Sequence, residues 1–123
     1  MSEEISNLPP QVQERLLRLQ QLQQTWQAIL TQKQQVDLEL AETEQAVEEL
    51  GKLSDDAIIY KSIGSLLVKS EKQKVALELG ERKDLLSTRT NVLGKQEERL
   101  RIQVKELQTK LQQELRPIGP QSP

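Results

Sequence analysis

Five leucines, Leu79, Leu86, Leu93, Leu100 and Leu107, stand seven residues apart without a miss, in a stretch with no proline between Pro10 and Pro117. Two helical turns bring position i+7 back to nearly the same face, so this row is a seam that must pack against another helix. The partner is legible upstream. Taking every seventh residue from Val12 gives Val12, Leu19, Trp26, Lys33, Leu40 and Val47, and three residues on from each come Arg15, Leu22, Ile29, Val36, Thr43 and Leu50. Nine of these twelve sites are apolar, where a 35% hydrophobic content predicts about four. The companion row of the leucines is less regular: Val75, then Leu85 and Val92 on one flank and Val104 and Leu111 on the other, with Arg82, Arg89 and Gln96 where a strict repeat wants apolar residues.

Composition supports rods over a globule. Nearly half of the 123 residues are Ala, Glu, Lys, Leu or Arg, Phe is absent, and Trp and Tyr occur once each, so no thick single-chain core is available. Without Cys or His the chain has no thiolate, no imidazole base and no ordinary zinc, haem or iron–sulfur ligand set, so neither a metal nor a cofactor is expected and the chain reads as a non-enzyme. Ser and Thr lack a base to activate them, and no phosphate-cradling glycine frame is present. A net charge of −2, with acidic and basic residues interleaved, disfavours nucleic acid as a partner. No apolar run approaches the ~18 residues of a membrane span, and the acidic start Met1-Ser2-Glu3-Glu4 leads into no apolar segment, so a cytoplasmic location is expected.

The proline-free span is interrupted between Gly51 and Ser70, where β-branched residues and the one Tyr gather around a glycine. Ile58-Ile59-Tyr60-Lys61-Ser62-Ile63, a Gly64-Ser65 turn and Leu66-Leu67-Val68-Lys69 read as a β-hairpin, with glycine first in a type II′ turn. In that register Ile59, Ile63, Leu66 and Val68 share one face and Ile58, Tyr60 and Leu67 the other. A two-stranded ribbon with two apolar faces and free edges needs partners, which predicts oligomerisation through the hairpin. Pro9 and Pro10 suit the first turn of one helix and Gly51 its stop, while Ser70-Glu71-Lys72-Gln73 reads as a capping box opening the second. The expected organisation is a tail (1–8), helix (9–51), linker and hairpin (52–70), helix (71–116) and tail (117–123). The fold class is mainly α: a long antiparallel coiled-coil hairpin with a central β-hairpin, the second helix softened by Gly80 and Gly94 at about 1 kcal/mol each.

Three stretches carry a family resemblance: Leu8-Pro9-Pro10-Gln11-Val12-Gln13, the run from Asp55-Asp56-Ala57 through Ile58-Ile59-Tyr60-Lys61-Ser62-Ile63-Gly64-Ser65-Leu66-Leu67-Val68-Lys69, and the leucine ladder down to Lys105-Glu106-Leu107. From about Leu8 to Arg116 the chain resembles the beta subunits of archaeal prefoldin. Coiled-coil flanks are shared by many proteins, and the central Tyr-Lys-x-x-Gly-x-x-x-Val-Lys is the diagnostic part. The resemblance implies an ATP-independent holding chaperone, a heterohexamer of two alpha and four beta subunits whose hairpins close an intersubunit β-barrel. The tips of its coiled coils capture unfolded protein clients and deliver them to a group II chaperonin.

Under that resemblance the arm ends should carry client contacts, and they hold more apolar residues than one seam uses: Leu8, Val12, Leu16 and Leu17 opposite Leu107, Leu111, Leu115 and Ile118. Of these, Val12 and Leu107 fit the heptads as seam residues, and Leu16, Leu17, Leu115 and Ile118 are the better candidates for exposed contacts. The hairpin residues Ile58, Ile59, Tyr60, Ile63, Gly64, Leu66, Leu67 and Val68 would build the platform. Lys105, Lys110 and Arg116 suit a helix C-terminus, and the resemblance adds docking on an acidic chaperonin surface. Trp26 reads as seam packing. Asp55 and Asp56 resemble the acidic tips of transcript-cleavage coiled coils that hold Mg²⁺, but their place before a hairpin favours a turn. The alternative function is a structural coiled-coil adaptor that uses the same hairpin only to oligomerise.

Overall fold

The structure, a computed structural model, describes residues 7–115. Its order is α1 (Pro10–Gly51), β1 (Ile59–Ile63), β2 (Leu66–Ser70) and α2 (Lys72–Glu114). Pro10 opens α1, where its missing N–H costs nothing, and the Pro9 carbonyl accepts from the amides of Val12 (2.9 Å) and Gln13 (3.1 Å). The helix stops by tightening: Lys52 donates to the Glu49 carbonyl and Leu53 to that of Leu50, three residues back. Gly51 has no positive φ, so its freedom is not used as a left-handed cap.

The capping box is placed differently from expectation. Ser70 ends β2, paired with Ile59, and the Glu71 carbonyl receives the first α2 hydrogen bond, from Val75 at 3.0 Å. Ser70 is held by the ladder, so the helix begins one residue later.

The described residues form two compact units, one from residues 7–31 together with 93–115, the other Gln32–Val92. In the first, Val12 and Leu22 of α1 and Leu93, Val104 and Leu111 of α2 are buried. Arg15 pairs with Glu114, and Trp26 Nε1 donates to Glu97 Oε1 at 3.3 Å, so the two segments run antiparallel. In the second unit Val36, Thr43 and Leu50 are buried, with Leu86 the most deeply enclosed side chain.

The expected α1 register holds, with every member of both rows buried or half-buried except Val47 at its margin. The α2 companion row is corrected. Leu85 and Val92 are exposed, as are Arg82, Arg89 and Gln96, and the half-buried or buried companions are Lys83, Thr90, Glu97, Val104 and Leu111, four residues after each ladder leucine. Three of those five sites are polar, which is why an apolar pattern misplaces them.

The hairpin takes the expected register: Ile63 opposite Leu66, Ser62 opposite Leu67, Lys61 opposite Val68, Tyr60 opposite Lys69. Gly64 has φ of 57°, and no other residue among those described has positive φ. A positive φ at the first central residue alone is the signature of a type II′ turn; type I′ would need it at both.

Candidate functional site: an unpartnered hairpin and the ends of the helices

Two surfaces depart from what a self-sufficient chain exposes. The first is the hairpin. Ile58, Tyr60, Ile63, Leu66, Leu67 and Val68 are all exposed, and among the described residues the sheet has only its two strands. Each outer edge therefore presents unpaired N–H and C=O groups beside apolar faces, a combination that a further strand satisfies. The hairpin is also tied to its own helix. Lys61 Nζ of β1 donates to Glu78 Oε2 of α2 at 2.6 Å, which holds the Glu78 carboxyl below its ordinary range. Lys72 Nζ donates to the Leu53 carbonyl at 2.6 Å and approaches Asp55 Oδ1 at 3.4 Å, strapping the incoming linker to the start of α2. Asp55 thus faces an ammonium, and Asp55 and Asp56 lie in a turn closed by the Ala57 amide on the Ser54 carbonyl. That is the turn reading, and the geometry brings no third carboxylate to them: no group of three metal-ligating side chains occurs among the described residues.

The second surface is the helix ends in the first unit. Leu17 is 57% exposed and Leu115 45%, while Leu8 and Leu16 are half-buried. Of the tip candidates, Val12 is buried at 4% as its heptad position expects, and Leu111 is buried with it at 3%, because both fall on the seam rows and close against the opposite helix. Ile118 and Arg116 lie outside the described residues. Lys105 and Lys110 stand on the exposed side of α2.

In the second unit the helices carry polar cross-ties that apolar patterning missed. Thr90 donates to Asp37 Oδ1 across the helices, and Lys33 Nζ donates to Asp37 Oδ2 at 2.9 Å. Arg82 reaches Glu39 at 2.9 Å, and the buried Thr43 hydroxyl donates back to the Glu39 carbonyl at 2.8 Å. Such ties add little energy near solvent but penalise any slipped register, since a shift leaves Asp37 and Glu97 without donors. The signal that could have found them is the alternation of four- and three-residue steps, which puts Thr90 and Glu97 on the seam whatever their polarity.

The Thr90 hydroxyl first, and the Lys33 ammonium second, hold the Asp37 carboxyl below its ordinary range. A carboxyl lowered on folding stabilises fully above its unfolded pKa and loses that contribution as pH falls through the folded one. The Asp37→Asn variant is therefore expected to melt below the parent chain at neutral pH, by about 0–1 kcal/mol for so exposed a pair. The gap should narrow as the pH is taken down to 3. A gap of the same size at both pH values in thermal unfolding would show that the carboxylate is not its source.

Helical rods that close on themselves, joined by a β-hairpin that cannot close on itself, define a coiled-coil subunit of a larger assembly. A family model described as prefoldin subunit matches residues 13–117, and the chain belongs to the prefoldin family. It is 45% identical to the prefoldin subunit beta of Pyrococcus furiosus, over 92% of this chain and 97% of that one. To the prefoldin subunit beta of Archaeoglobus fulgidus it is 48% identical, with the same coverage. Among solved structures it is similar to the prefoldin beta subunit from Thermococcus strain KS-1, at TM-score 0.82 and 45% identity, covering 90% of this chain and 97% of that one. The chain is a prefoldin chaperone subunit, which sets aside the adaptor alternative and makes it a chaperone rather than an enzyme. No helix of the described residues is long and apolar enough to cross a membrane.

Proposed function

We propose that this chain assembles through its hairpin with alpha-type prefoldin subunits, as two alpha and four beta. In that assembly it holds unfolded clients at the helix ends without ATP and passes them to a group II chaperonin in the cytoplasm. One observation carries the tip assignment: Leu17 and Leu115, from opposite helices of the same unit, remain exposed next to a seam that is already filled by Val12 and Leu111. Apolar surface left over after the seam is satisfied has no use within the chain, and it suits an unfolded segment whose own side chains are exposed. Each tip binds weakly, and several tips on one platform multiply the affinity through effective concentration. Leu8 and Leu16 widen the patch. Lys105 and Lys110 offer cations for an acidic chaperonin face, whose role would be faster and more selective docking.

The test separates holding from assembly. Leu17→Ser combined with Leu115→Ser is expected to leave the mass of the assembly unchanged and to reduce suppression of aggregation of a denatured model protein several-fold, without ATP in either case. Full suppression by the double variant would remove the tip assignment.

A further inference from the structure

The two apolar faces of the hairpin are not equivalent. On the face shared by Ile59, Lys61, Ile63, Leu66 and Val68, exposure is highest at the pair beside the turn, Leu66 at 64% and Ile63 at 52%, is 43% at Val68 one rung further, and falls to half-buried at Ile59 at the base. The face shared by Ile58, Tyr60 and Leu67 shows no such gradient, at 64%, 60% and 72%. The cause of the gradient is on the same face. Lys61 reaches from it to Glu78, two turns into α2, so this is the face turned to its own helix and its basal residues are the sheltered ones. Ile63 and Leu66, paired beside the turn, are furthest from that shelter.

We infer that the face bearing Ile58, Tyr60 and Leu67 is the one that packs against the hairpins of other subunits, and that the Lys61–Glu78 pair sets this choice by turning the opposite face inward to α2. This rests on the proposed platform and adds which side of the ribbon is its inside. The occupant is a second prefoldin hairpin, for two reasons. The free strand edges accept a strand, and any strand added there continues both faces of the sheet. The face with no shelter from its own chain then gains contact from each neighbour. Charge does not choose between the faces, since Lys69 lies opposite Tyr60 on the assigned inner face as Lys61 lies on the other, and the shelter given by α2 carries the assignment.

Because the chain has no cysteine, single thiols report each face without background. Leu67→Cys and Val68→Cys place thiols on neighbouring residues of opposite faces, and Tyr60→Cys and Ile63→Cys repeat the comparison on β1, should one of the first pair fail to assemble. Each full-length variant is assembled with an archaeal prefoldin alpha subunit, its mass measured by native mass spectrometry, and its labelling by a maleimide followed before and after dissociation. Leu67→Cys and Tyr60→Cys are expected to label at least tenfold more slowly in the assembly than when dissociated, and Val68→Cys and Ile63→Cys to change less than threefold. Equal protection of both faces, or protection of Val68→Cys and Ile63→Cys alone, overturns the assignment. Assembly of full mass with no face protected overturns the platform itself, and so separates the two failures.

Discussion

Leu86→Ala is expected to destabilise the chain by about 2–3 kcal/mol, a large share of what a coiled coil of this size has to lose. Leu86 is 1% exposed and is the most enclosed side chain among the described residues. Truncating a buried leucine forfeits its transfer energy and leaves a cavity, at about 2–5 kcal/mol in well-packed cores. Two effects place this site in the lower half of that range. A seam between two helices is flanked by solvent and relaxes more readily than a globular interior, and alanine is a slightly better helix former than leucine. The control stands next to it: Leu85→Ala makes the same chemical change at a side chain that is 56% exposed, and it should shift stability by no more than about 0.5 kcal/mol. Urea midpoints followed by far-ultraviolet circular dichroism measure both. A cost at Leu85 equal to that at Leu86 would mean that the seam register is wrong.

That contrast shows where the letters of the chain suffice and where they do not. The ladder through Leu86 is legible because a period of seven on a proline-free segment has one physical meaning. The α1 rows are legible for the same reason, and their polar members Arg15, Lys33 and Thr43 are tolerated because each finds a partner: Glu114, Asp37 and the Glu39 carbonyl. The companion row of α2 is where apolar counting fails. Leu85 and Val92 look like seam residues by type, yet Thr90 and Glu97 occupy the seam by position, and only the partners on α1 reveal it. Asp37 and Trp26 lie 53 and 71 residues away from them.

The same limit applies to the hairpin and to the helix ends. Its turn and register follow from Gly64-Ser65 and from residues that alternate about it, all of them local. Its tie to α2 does not, since Lys61 and Glu78 belong to different elements and nothing in either neighbourhood announces the pair. At the capping box a local signal lost to a tertiary one, Ser70 being drawn into the ladder opposite Ile59. At the helix ends, residue type marked Val12, Leu17, Leu111 and Leu115 alike, and heptad phase divided them, burying the first and third and leaving the others outside.

Replacing residues 58–69 with a short Gly-Ser linker is expected to abolish assembly while leaving both helices formed. The helices do not need the ribbon: their seam is filled by Val12, Leu22, Val36, Leu50, Leu86, Leu93, Val104 and Leu111, none of which comes from it. On the proposed platform assembly does need it. Ile58, Tyr60 and Leu67 are exposed in the single chain, and each contributes about 1.5–3 kcal/mol when fully buried. Repeated against each neighbouring hairpin and joined by paired strand edges, these contacts offset the ~4–15 kcal/mol lost in translational and rotational freedom on association. Apart from Leu8, Leu16, Leu17 and Leu115 at the helix ends, the exposed faces of the helices are mostly polar and mixed in charge. Native mass spectrometry should therefore find single chains where the parent forms its oligomer, at concentrations at least a hundredfold above those at which the parent is assembled, with the helical circular dichroism signal retained. An oligomer of the parent's subunit number would locate the interface on the helices and remove the hairpin as the basis of assembly.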